Sequence, residues 1–424
     1  MNKIIIVLLG IALFCSCDKK DAPEPTPEPV VSGQTVLVYM AAENNLNSFA
    51  KSDLEEMKEG SKKLAEDNKL IVYVDEANSK QTPFMARVKN GELIDTVYMA
   101  ETLTADPTVL ETALRTAKEK YPSESSGLLL WGHASGWLIN NDSVTYQKSR
   151  AYGGDTGNNS SNSTGRYWMN IPSMAKAIAN GIGNDKLKFI MGDCCNFGCI
   201  EIAYELRNVA DYIIGSPAEI PDNGAPYDII VPDMFDDSDL FYKQIIDHYY
   251  NYYLSELQNN NDRYYNFQPG DLKGNSIPLA AINTNGLEDL ASATAQILST
   301  LAEKLMPGNP LDLSQITYYG QYGNYNYAYD MQQVLKKHTD DAAYNQWVES
   351  FNQACPYHLY SQKWLTDYSK LGTSMSNFEA DGSNCASVSM FIPLSTYNNT
   401  SPNWNSTIKN YQWNNVIRWE QYGW

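Results

Sequence analysis

Two short polar stretches directly follow apolar runs and together carry an imidazole and two thiols. One apolar run, residues 127–131, leads into His133, and another, residues 187–191, leads into Cys194 and Cys195. If these runs are neighbouring parallel strands, their carboxyl ends meet at one sheet edge, where α/β proteins commonly place their sites. A thiol beside an imidazole is a competent nucleophile, because the imidazole removes the thiol proton or protonates a leaving amine. The spacing therefore indicates a Cys/His pair, with a packing His and structural cysteines as the alternative.

The other histidines lie in less suitable places. His248 and His338 fall in polar stretches with helical spacing, and no strand pattern precedes His358. His133 is therefore the one His that the predicted fold places at a functional edge.

The apolar pattern predicts the elements that hold these groups. Buried strands are expected at residues 35–41, 70–74, 127–131, 187–191 and 212–215. Helical spacing lies between them, including residues 46–63, whose acidic residues are expected on the face opposite the apolar one. Strands that alternate with helices predict an α/β fold, a mainly parallel sheet with helices on both faces.

The chain also divides by composition. Residues 1–16 predict a signal peptide and residues 17–33 a lipidated Cys with a Pro-rich spacer. Residues 34–230 predict the α/β core. Residues 231–424 predict a helical, Tyr-rich C-terminal α/β extension packed on that core.

The N-terminus predicts export and a lipid anchor. The apolar run at residues 4–14 is too short for a spanning helix but suits the core of a signal peptide. The following Cys15-Ser16-Cys17 resembles a bacterial lipoprotein box, with cleavage after Ser16 and lipidation of Cys17. An ordinary secretory signal is the alternative. An anchored protein would lie in the bacterial cell envelope, in the periplasm or on the outer-membrane surface.

The charge balance excludes some partners. Lys and Arg number 31 and Asp and Glu 50, so the formal charge is −19. Nucleic-acid binding is not expected, because its affinity comes mainly from basic residues that neutralise phosphates. An acidic surface favours basic ligands or peptides instead.

Read together, the two polar stretches resemble the paired signatures of the clostripain family of cysteine peptidases, in the caspase-like clan. They read WGHASGW at residues 131–137 and GDCCNFGCIEIAYEL at 192–206. The opening YMAAENNL at 39–46 and the late SMFIP strand are also similar to the family. The resemblance covers nearly the whole mature chain, and it implies a caspase-like fold and cysteine endopeptidase activity.

The resemblance also implies roles for individual residues. His133 would be the general acid and base, and Cys195 the nucleophile. Asp193 fits the family Asp two positions before the nucleophile, so Cys194 stands where Ala is usual and is the alternative thiol. Cys199, one helical turn later, is expected to be a small buried hydrophobe.

Three more residues are assigned around this pair. Asp193 would lie in the pocket for the P1 side chain and select Arg or Lys, with a turn-capping role as the alternative. Glu219 is a second pocket candidate. Ala134 stands where the family generally has Gly. Its backbone amide would donate a hydrogen bond to the oxyanion. Ala, unlike Gly, restricts the backbone if φ must be positive at this position. Expected partners are peptides or proteins with a basic P1 residue.

Family members often cut themselves between the His and Cys strands. Here Lys148, Arg150 and Arg166 lie on or beside a polar loop rich in Gly, Asn and Ser. The expected site is Arg150-Ala151, because the residues after it look like those that follow family cleavage sites. Maturation would yield two non-covalently associated chains.

No cofactor is implied, and Ca²⁺ enters by family resemblance alone. The sequence has no EF-hand-like loop, and its acidic cluster of Asp236, Asp237 and Asp239 is explained by a helix start that faces water. Whether Cys355 and Cys385 pair is left open by their spacing.

A competing hypothesis is a catalytically inactive lipoprotein with the peptidase fold that binds peptide or glycan. It is motivated by Ala134 and by the adjacent Cys194 and Cys195.

Overall fold

A nine-stranded sheet lies at the centre of a computed structural model, which describes residues 31–78, 80, 82–139, 151–157, 167–259, 273–367, 370–371 and 384–424. The strands are β1 Gln34–Ala42, β2 Lys69–Glu76, β3 Phe84–Lys89, β4 Glu92–Tyr98, β5 Ser125–Trp131, β6 His133–Ala134, β7 Tyr152–Asp155, β8 Tyr167–Met169, β9 Leu187–Asp193, β10 Ala210–Gly215, β11 Leu279–Asn283, β12 Tyr318–Tyr322, β13 Tyr325–Asp330, β14 Tyr357–Leu359, β15 Leu365–Asp367, β16 Lys370–Leu371 and β17 Ser389–Met390. In the central sheet their order is β14-β11-β10-β9-β5-β1-β2-β3-β4.

The middle of this sheet is parallel and its two margins are antiparallel. Strands β10, β9, β5, β1 and β2 pair in parallel. Strands β3 and β4 on one side, and β11 and β14 on the other, pair antiparallel. The parallel strands are the five that the apolar runs predict, so the prediction of a mainly parallel sheet is confirmed.

Helices cover both faces of the sheet. They are α1 Asn47–Ser61, α2 Pro107–Lys120, α3 Ile171–Ile182, α4 Ile200–Leu206, α5 Tyr227–Met234, α6 Phe241–Asn259, α7 Leu287–Ser299, α8 Met331–His338, α9 Asp341–Ala354, α10 Trp404–Thr407 and α11 Gln412–Ile417. Helices α1, α5 and α6 pack on one face, and α2, α3 and α4 pack on the other. None of the helices among the described residues is both long and apolar enough to cross a membrane.

The two faces of β1 explain why its sequence is a continuous apolar run from Val36 to Ala42. Val36 and Val38 are buried with helix α1, whereas Leu37 and Tyr39 are buried against α2 on the opposite face. A strand covered on both faces has no solvent side, so successive positions from Val36 to Ala42 are apolar or aromatic whichever face they point to. Burial of each such side chain stabilises the folded state by about 1.5–3 kcal/mol relative to leaving it exposed to water.

The C-terminal residues pack directly behind the segment that follows His133. The Trp137 ring lies edge-on to Phe391, Trp404 and Tyr327, with ring centroids 4.8, 5.7 and 5.8 Å away. Ser32–Trp424 form one compact unit. Aromatic packing of this kind fixes the backbone on the carboxyl side of His133.

The cysteines of the described residues form no disulfides. Cys355 and Cys385 are both buried, and they form no disulfide with each other. The sulfur of Cys385 instead lies 3.1 Å from the Tyr319 hydroxyl. Their spacing in the sequence left open whether they pair, and in the structure they do not.

Candidate active site

The pairing of β5 with β9 brings the His and Cys segments together. These strands are parallel neighbours in which Trp131 stands opposite Asp193, and the Gly132 amide donates to the Asp193 carbonyl at 3.3 Å. His133 and Cys195 each follow two residues after this matched pair. Both leave the sheet at the same level of the same edge, and both line one cavity of about 200 Å³.

The other predicted site residues line the same cavity. Ala134, Asp193 and Glu219 belong to its wall, and so does Asp222. No Lys or Arg of the described residues contributes to this wall. The cavity therefore combines a thiol, an imidazole and three carboxyl groups.

His133 is half-buried and held from two sides. Its Nε2 lies 3.0 Å from Asn45 Oδ1, on the loop that follows β1. Its backbone belongs to β6, where it pairs with Gly153 of β7. Gly154 has φ of +72°, and a Cβ there would come within 3.3 Å of the His133 side chain. Glycine is thus required for β7 to pass so close to the imidazole.

The two adjacent cysteines occupy different environments. Cys195 is partly exposed, and its sulfur lies 4.0 Å from the Ile220 carbonyl at the cavity wall. Cys194 is 1% exposed and packs into the core, and this burial raises the pKa of its thiol well above the usual value. Burial raises the pKa of Cys199 in the same way. Of these thiols, only that of Cys195 lines the cavity.

A tight turn after Cys195 sets the direction of its side chain. Asn196 has φ of +58°, a left-handed conformation that Asn tolerates better than most residues. Its amide donates to the Ala218 carbonyl at 2.8 Å, and its side-chain nitrogen donates to the Pro217 carbonyl at 2.7 Å. These bonds fix the turn against the segment that carries Glu219.

Asp193 is a buried carboxylate with three donors. Tyr227 donates to its Oδ2 at 2.6 Å, Tyr249 to its Oδ1 at 3.0 Å, and the Ala225 amide to Oδ2 at 3.1 Å. Burial raises the pKa of Asp193, and these donors partly offset that rise. The Asn196 amide, in the turn that follows Asp193, donates to the Ala218 carbonyl, and the three donors to Asp193 come from other segments, so these bonds do not cap that turn.

A second buried carboxyl group, Asp53 of α1, stands beside Asp193. Its Oδ2 accepts a hydrogen bond from Trp131 Nε1 at 2.6 Å. Burial, followed by the charge of Asp193, raises the pKa of Asp53 to about 9. Gly224 has φ of +64°, and a Cβ there would lie 2.7 Å from Asp193 Oδ2 and 3.1 Å from Asp53 Oδ2. Both carboxyl groups therefore converge on Gly224, one of the residues that line the cavity.

Asp53 and Asn45 were not predicted as site residues. The acidic residues of the 46–63 helix were expected on the face opposite the apolar one, but Asp53 is 1% exposed. That part of the expectation is wrong for Asp53, because it accepts the indole N–H of Trp131 within the core. Asn45 follows the carboxyl end of β1, beside β5, so the edge argument that selected His133 could also have found it.

Several predicted positions lie outside the described residues. Lys148, Arg150, Arg166 and Cys17 are among them. Ala151, the first described residue after Arg150, is fully buried, and its carbonyl accepts a hydrogen bond from the Ser135 amide at 3.1 Å.

Comparison with known proteins places this geometry in a family. The sequence matches the model of the clostripain family, Peptidase_C11, over residues 38–424. A search of curated proteins finds no significant match.

Solved structures share the fold. A secreted C11 cysteine protease from Bacteroides thetaiotaomicron, in complex with an irreversible peptide inhibitor, is 29% identical with a TM-score of 0.72, covering 92% of this chain and 99% of that one. An inactive zymogen C11 protease from Parabacteroides distasonis is 23% identical with a TM-score of 0.69, over 92% of this chain and 99% of that one. The family match spans both site strands and the C-terminal region behind them, so the chain belongs to the clostripain family of cysteine peptidases.

Proposed function

We propose that this protein is an endopeptidase that cleaves after Arg or Lys through a dyad of Cys195 and His133. The observation that carries the proposal is the shared cavity, which is lined by Cys195, His133 and Asp193. The contact of His133 Nε2 with Asn45 Oδ1 favours a proton on Nε2, because an amide oxygen is an acceptor. Nδ1 is then the nitrogen that exchanges a proton with the thiol.

The proposed reaction has two covalent steps. Cys195 gives its proton to His133, and its sulfur adds to the carbonyl carbon of the scissile bond. The C–N bond then breaks as His133 protonates the leaving amine, which leaves a thioester on Cys195. Water adds to the thioester with His133 as base, the C–S bond breaks, and the thiol regains its proton. The Ala134 amide, at the cavity wall, is the proposed donor to the oxyanion.

The charge of the cavity supports a basic P1 residue. Asp193, Glu219 and Asp222 all line it, and the described residues place no cationic side chain in its wall. A guanidinium or ammonium group would supply the counter-charge that the buried Asp193 lacks. A neutral P1 residue would leave Asp193 with its three hydrogen-bond donors but without a cationic partner.

Turnover of short fluorogenic peptides tests this function. Purified protein should hydrolyse peptides with P1 Arg or Lys about 100-fold or more faster than matched peptides with a neutral P1 residue. Equal rates for basic and neutral peptides would contradict the assignment of the pocket. A complete lack of turnover by protein cut after Arg150 would favour the inactive, ligand-binding alternative.

We also propose that the protein matures by cutting itself after Arg150. The burial of Ala151 and its hydrogen bond with Ser135 support this proposal, because they would hold the new N-terminus beside β6 after cleavage. The two chains would stay together through the β6–β7 pairing and the central sheet.

Intact-mass analysis of variants tests the maturation site. Wild type should separate into two chains under denaturing conditions, whereas Arg150→Ala and Cys195→Ala should each remain a single chain. Arg166→Ala is the matched control and should be cut like wild type. A wild-type protein that stays whole while fully active would show that cleavage is not required.

The N-terminal segment supports a lipid anchor as part of the same proposal. Cys17 follows a short apolar run, and the Pro-rich spacer after it would hold the catalytic unit away from a membrane surface. In this arrangement the enzyme acts on peptides in the cell envelope.

A further inference from the structure

A second cavity, of about 500 Å³, lies next to the imidazole of His133. The residues that line it differ from those that line the cavity of Cys195. Ala105, Ile139 and Met169 are buried and Trp168 is half-buried, and these four give it a largely apolar lining. We call it the Trp168 cavity. A hollow of this size and lining can accept one large apolar side chain of a bound peptide.

The three-stranded sheet of β6, β7 and β8 places Trp168 on the same side as His133. Residues that stand opposite one another in antiparallel strands point to the same face, and the register runs from His133 through Gly153 to Trp168. Gly153 has no side chain to separate the two rings, whose centroids lie 6.3 Å apart. A Cβ on Gly154 would come within 2.9 Å of the indole of Trp168. The glycines of β7 therefore allow this indole to approach the imidazole.

Further walls of the Trp168 cavity come from the starts of two helices. Pro107 and Pro172 stand in the first turns of α2 and α3, and both line the cavity. Because proline fixes φ and has no amide hydrogen, these walls are rigid and offer no backbone donor at either position. The polar lining residues Ser173, Lys176 and Asn410 are at least partly exposed. The cavity thus has an apolar interior and a polar margin.

The two cavities are built from helices on opposite faces of the central sheet. Asp193 accepts hydrogen bonds from Tyr227 of α5 and Tyr249 of α6, which pack on the same face as α1. The Trp168 cavity uses the starts of α2 and α3, which pack on the other face. Successive side chains of an extended peptide point in opposite directions. A P1 side chain directed at Asp193 therefore directs the next side chain toward the Trp168 cavity.

The acid and base role of His133 points to the same side. To protonate the leaving amine, His133 must lie within hydrogen-bond reach of the nitrogen of the scissile bond. The part of the peptide that begins at this nitrogen then leaves the site beside His133. Trp168 is the aromatic residue that packs against His133 there.

We propose that the Trp168 cavity binds the residue directly after the scissile bond, P1′, and that it takes a large apolar side chain such as Leu, Met or Phe. This inference rests on the proposed peptidase function of Cys195 and His133. Such a side chain would pack on the indole of Trp168 and lose contact with water, whereas Gly at P1′ would leave the cavity unfilled. The enzyme would then select a basic residue before the cut and an apolar one after it.

Hydrolysis of paired peptides tests this subsite. Internally quenched peptides carry Arg at P1 and differ only at P1′, which is Leu in one and Gly in the other. Wild type should have a kcat/KM about tenfold or more higher for the Leu peptide. In Trp168→Ala this ratio should fall to about threefold or less, and Trp168→Phe, which keeps an aromatic wall, should restore most of it. The ratio cancels any effect on His133 that both peptides share.

Two further variants make the test independent of the sheet around His133. Ser173→Trp, at the start of α3, would fill the cavity and should also lower the ratio of the Leu to the Gly peptide. Tyr98→Ala removes an exposed aromatic side chain on β4 and is the control, which should keep the wild-type ratio. A wild-type ratio near one, or an unchanged ratio in both Trp168→Ala and Ser173→Trp, would overturn the subsite.

Peptide binding by Cys195→Ala separates this inference from the peptidase function. If wild type hydrolyses neither peptide, the peptidase function fails, and the subsite is then judged by the affinity of Cys195→Ala for each peptide, measured by fluorescence anisotropy. About tenfold tighter binding of the Leu peptide, lost in the double variant with Trp168→Ala, would support the subsite. Equal affinities would overturn it as well. Equal hydrolysis of the two peptides by wild type would overturn the subsite and leave the peptidase function intact.

Discussion

Replacement of Cys195 by Ala should abolish peptide hydrolysis, whereas replacement of Cys194 by Ala should leave it within about threefold of wild type. The reason is the difference in their surroundings. Cys195 lines the cavity with His133, while Cys194 is buried in the core with a raised thiol pKa. A loss of about 10⁴-fold or more in kcat/KM is expected for Cys195→Ala, because a covalent route needs its nucleophile. The measurement is hydrolysis of a P1 Arg peptide by each purified variant.

Cys199→Ala serves as a further control in that experiment. Cys199 is as buried as Cys194, so both Ala variants lose a small core contact of similar size. Both should retain activity after a modest loss of Tm. Full activity in Cys195→Ala, or its loss in Cys194→Ala with a normal Tm, would move the nucleophile to the other sulfur.

Asp193→Asn should remove the preference for basic P1 residues. The change keeps the shape of the side chain and an oxygen for Tyr227 or Tyr249, but it removes the charge that would pair with a guanidinium. We expect kcat/KM for a P1 Arg peptide to fall about 100-fold, because losing one partner of a buried charge pair costs about 2–5 kcal/mol. Hydrolysis of a neutral P1 peptide should stay the same or rise.

Glu219→Gln is the matched control for this prediction. Glu219 lines the same cavity but is only half-buried, so solvent screens its charge more than that of Asp193. In the Glu219→Gln variant, the preference for a basic over a neutral P1 residue should change by only a few-fold. Labelling of Cys195 by a thiol reagent shows that Asp193→Asn still folds around the site. A folded Asp193→Asn variant that keeps the full Arg preference would exclude Asp193 as the selective residue.

The parallel centre of the sheet could be predicted because its strands are buried on both faces. Their sequences are continuous apolar runs, as in β1, β5 and β9, and such runs need no alternation to be recognised. The antiparallel strand β4 at the edge of the sheet was not predicted, because its hydrophobic pattern is weaker. Most of β4 is exposed at the edge of the sheet, so its sequence, ELIDTVY, carries little hydrophobic pattern.

The backbone around Ala134 also differs from what its sequence position alone indicates. Ala in place of the family Gly would restrict the chain if φ were positive there. In the structure Ala134 is not among the residues with positive φ, and Gly132 and Gly136 adopt φ of +140° and +68° on either side. The two glycines take the conformations that Ala would resist, so this substitution costs no backbone strain.

The acidic groups could not be placed from the sequence, because their proximity depends on the topology. Asp53 converges with Asp193 only because the Trp131 indole, at the end of β5, reaches α1 and donates to the Asp53 carboxyl group. Glu43, Asp75 and Glu101 are separated in the chain and meet only where β1 and β2 end. Local patterns report burial and periodicity, but such clusters arise from contacts between distant segments.

The central claim is that the Cys195 sulfur is activated by the His133 imidazole, and covalent labelling tests it most directly. Protein is treated with an irreversible, thiol-directed peptide inhibitor that carries Arg at P1, and the modified residue is located by peptide mass spectrometry. The account predicts a single label on Cys195, formed about 100-fold more slowly in His133→Ala. A label on another cysteine, or an unchanged rate in His133→Ala, would contradict it.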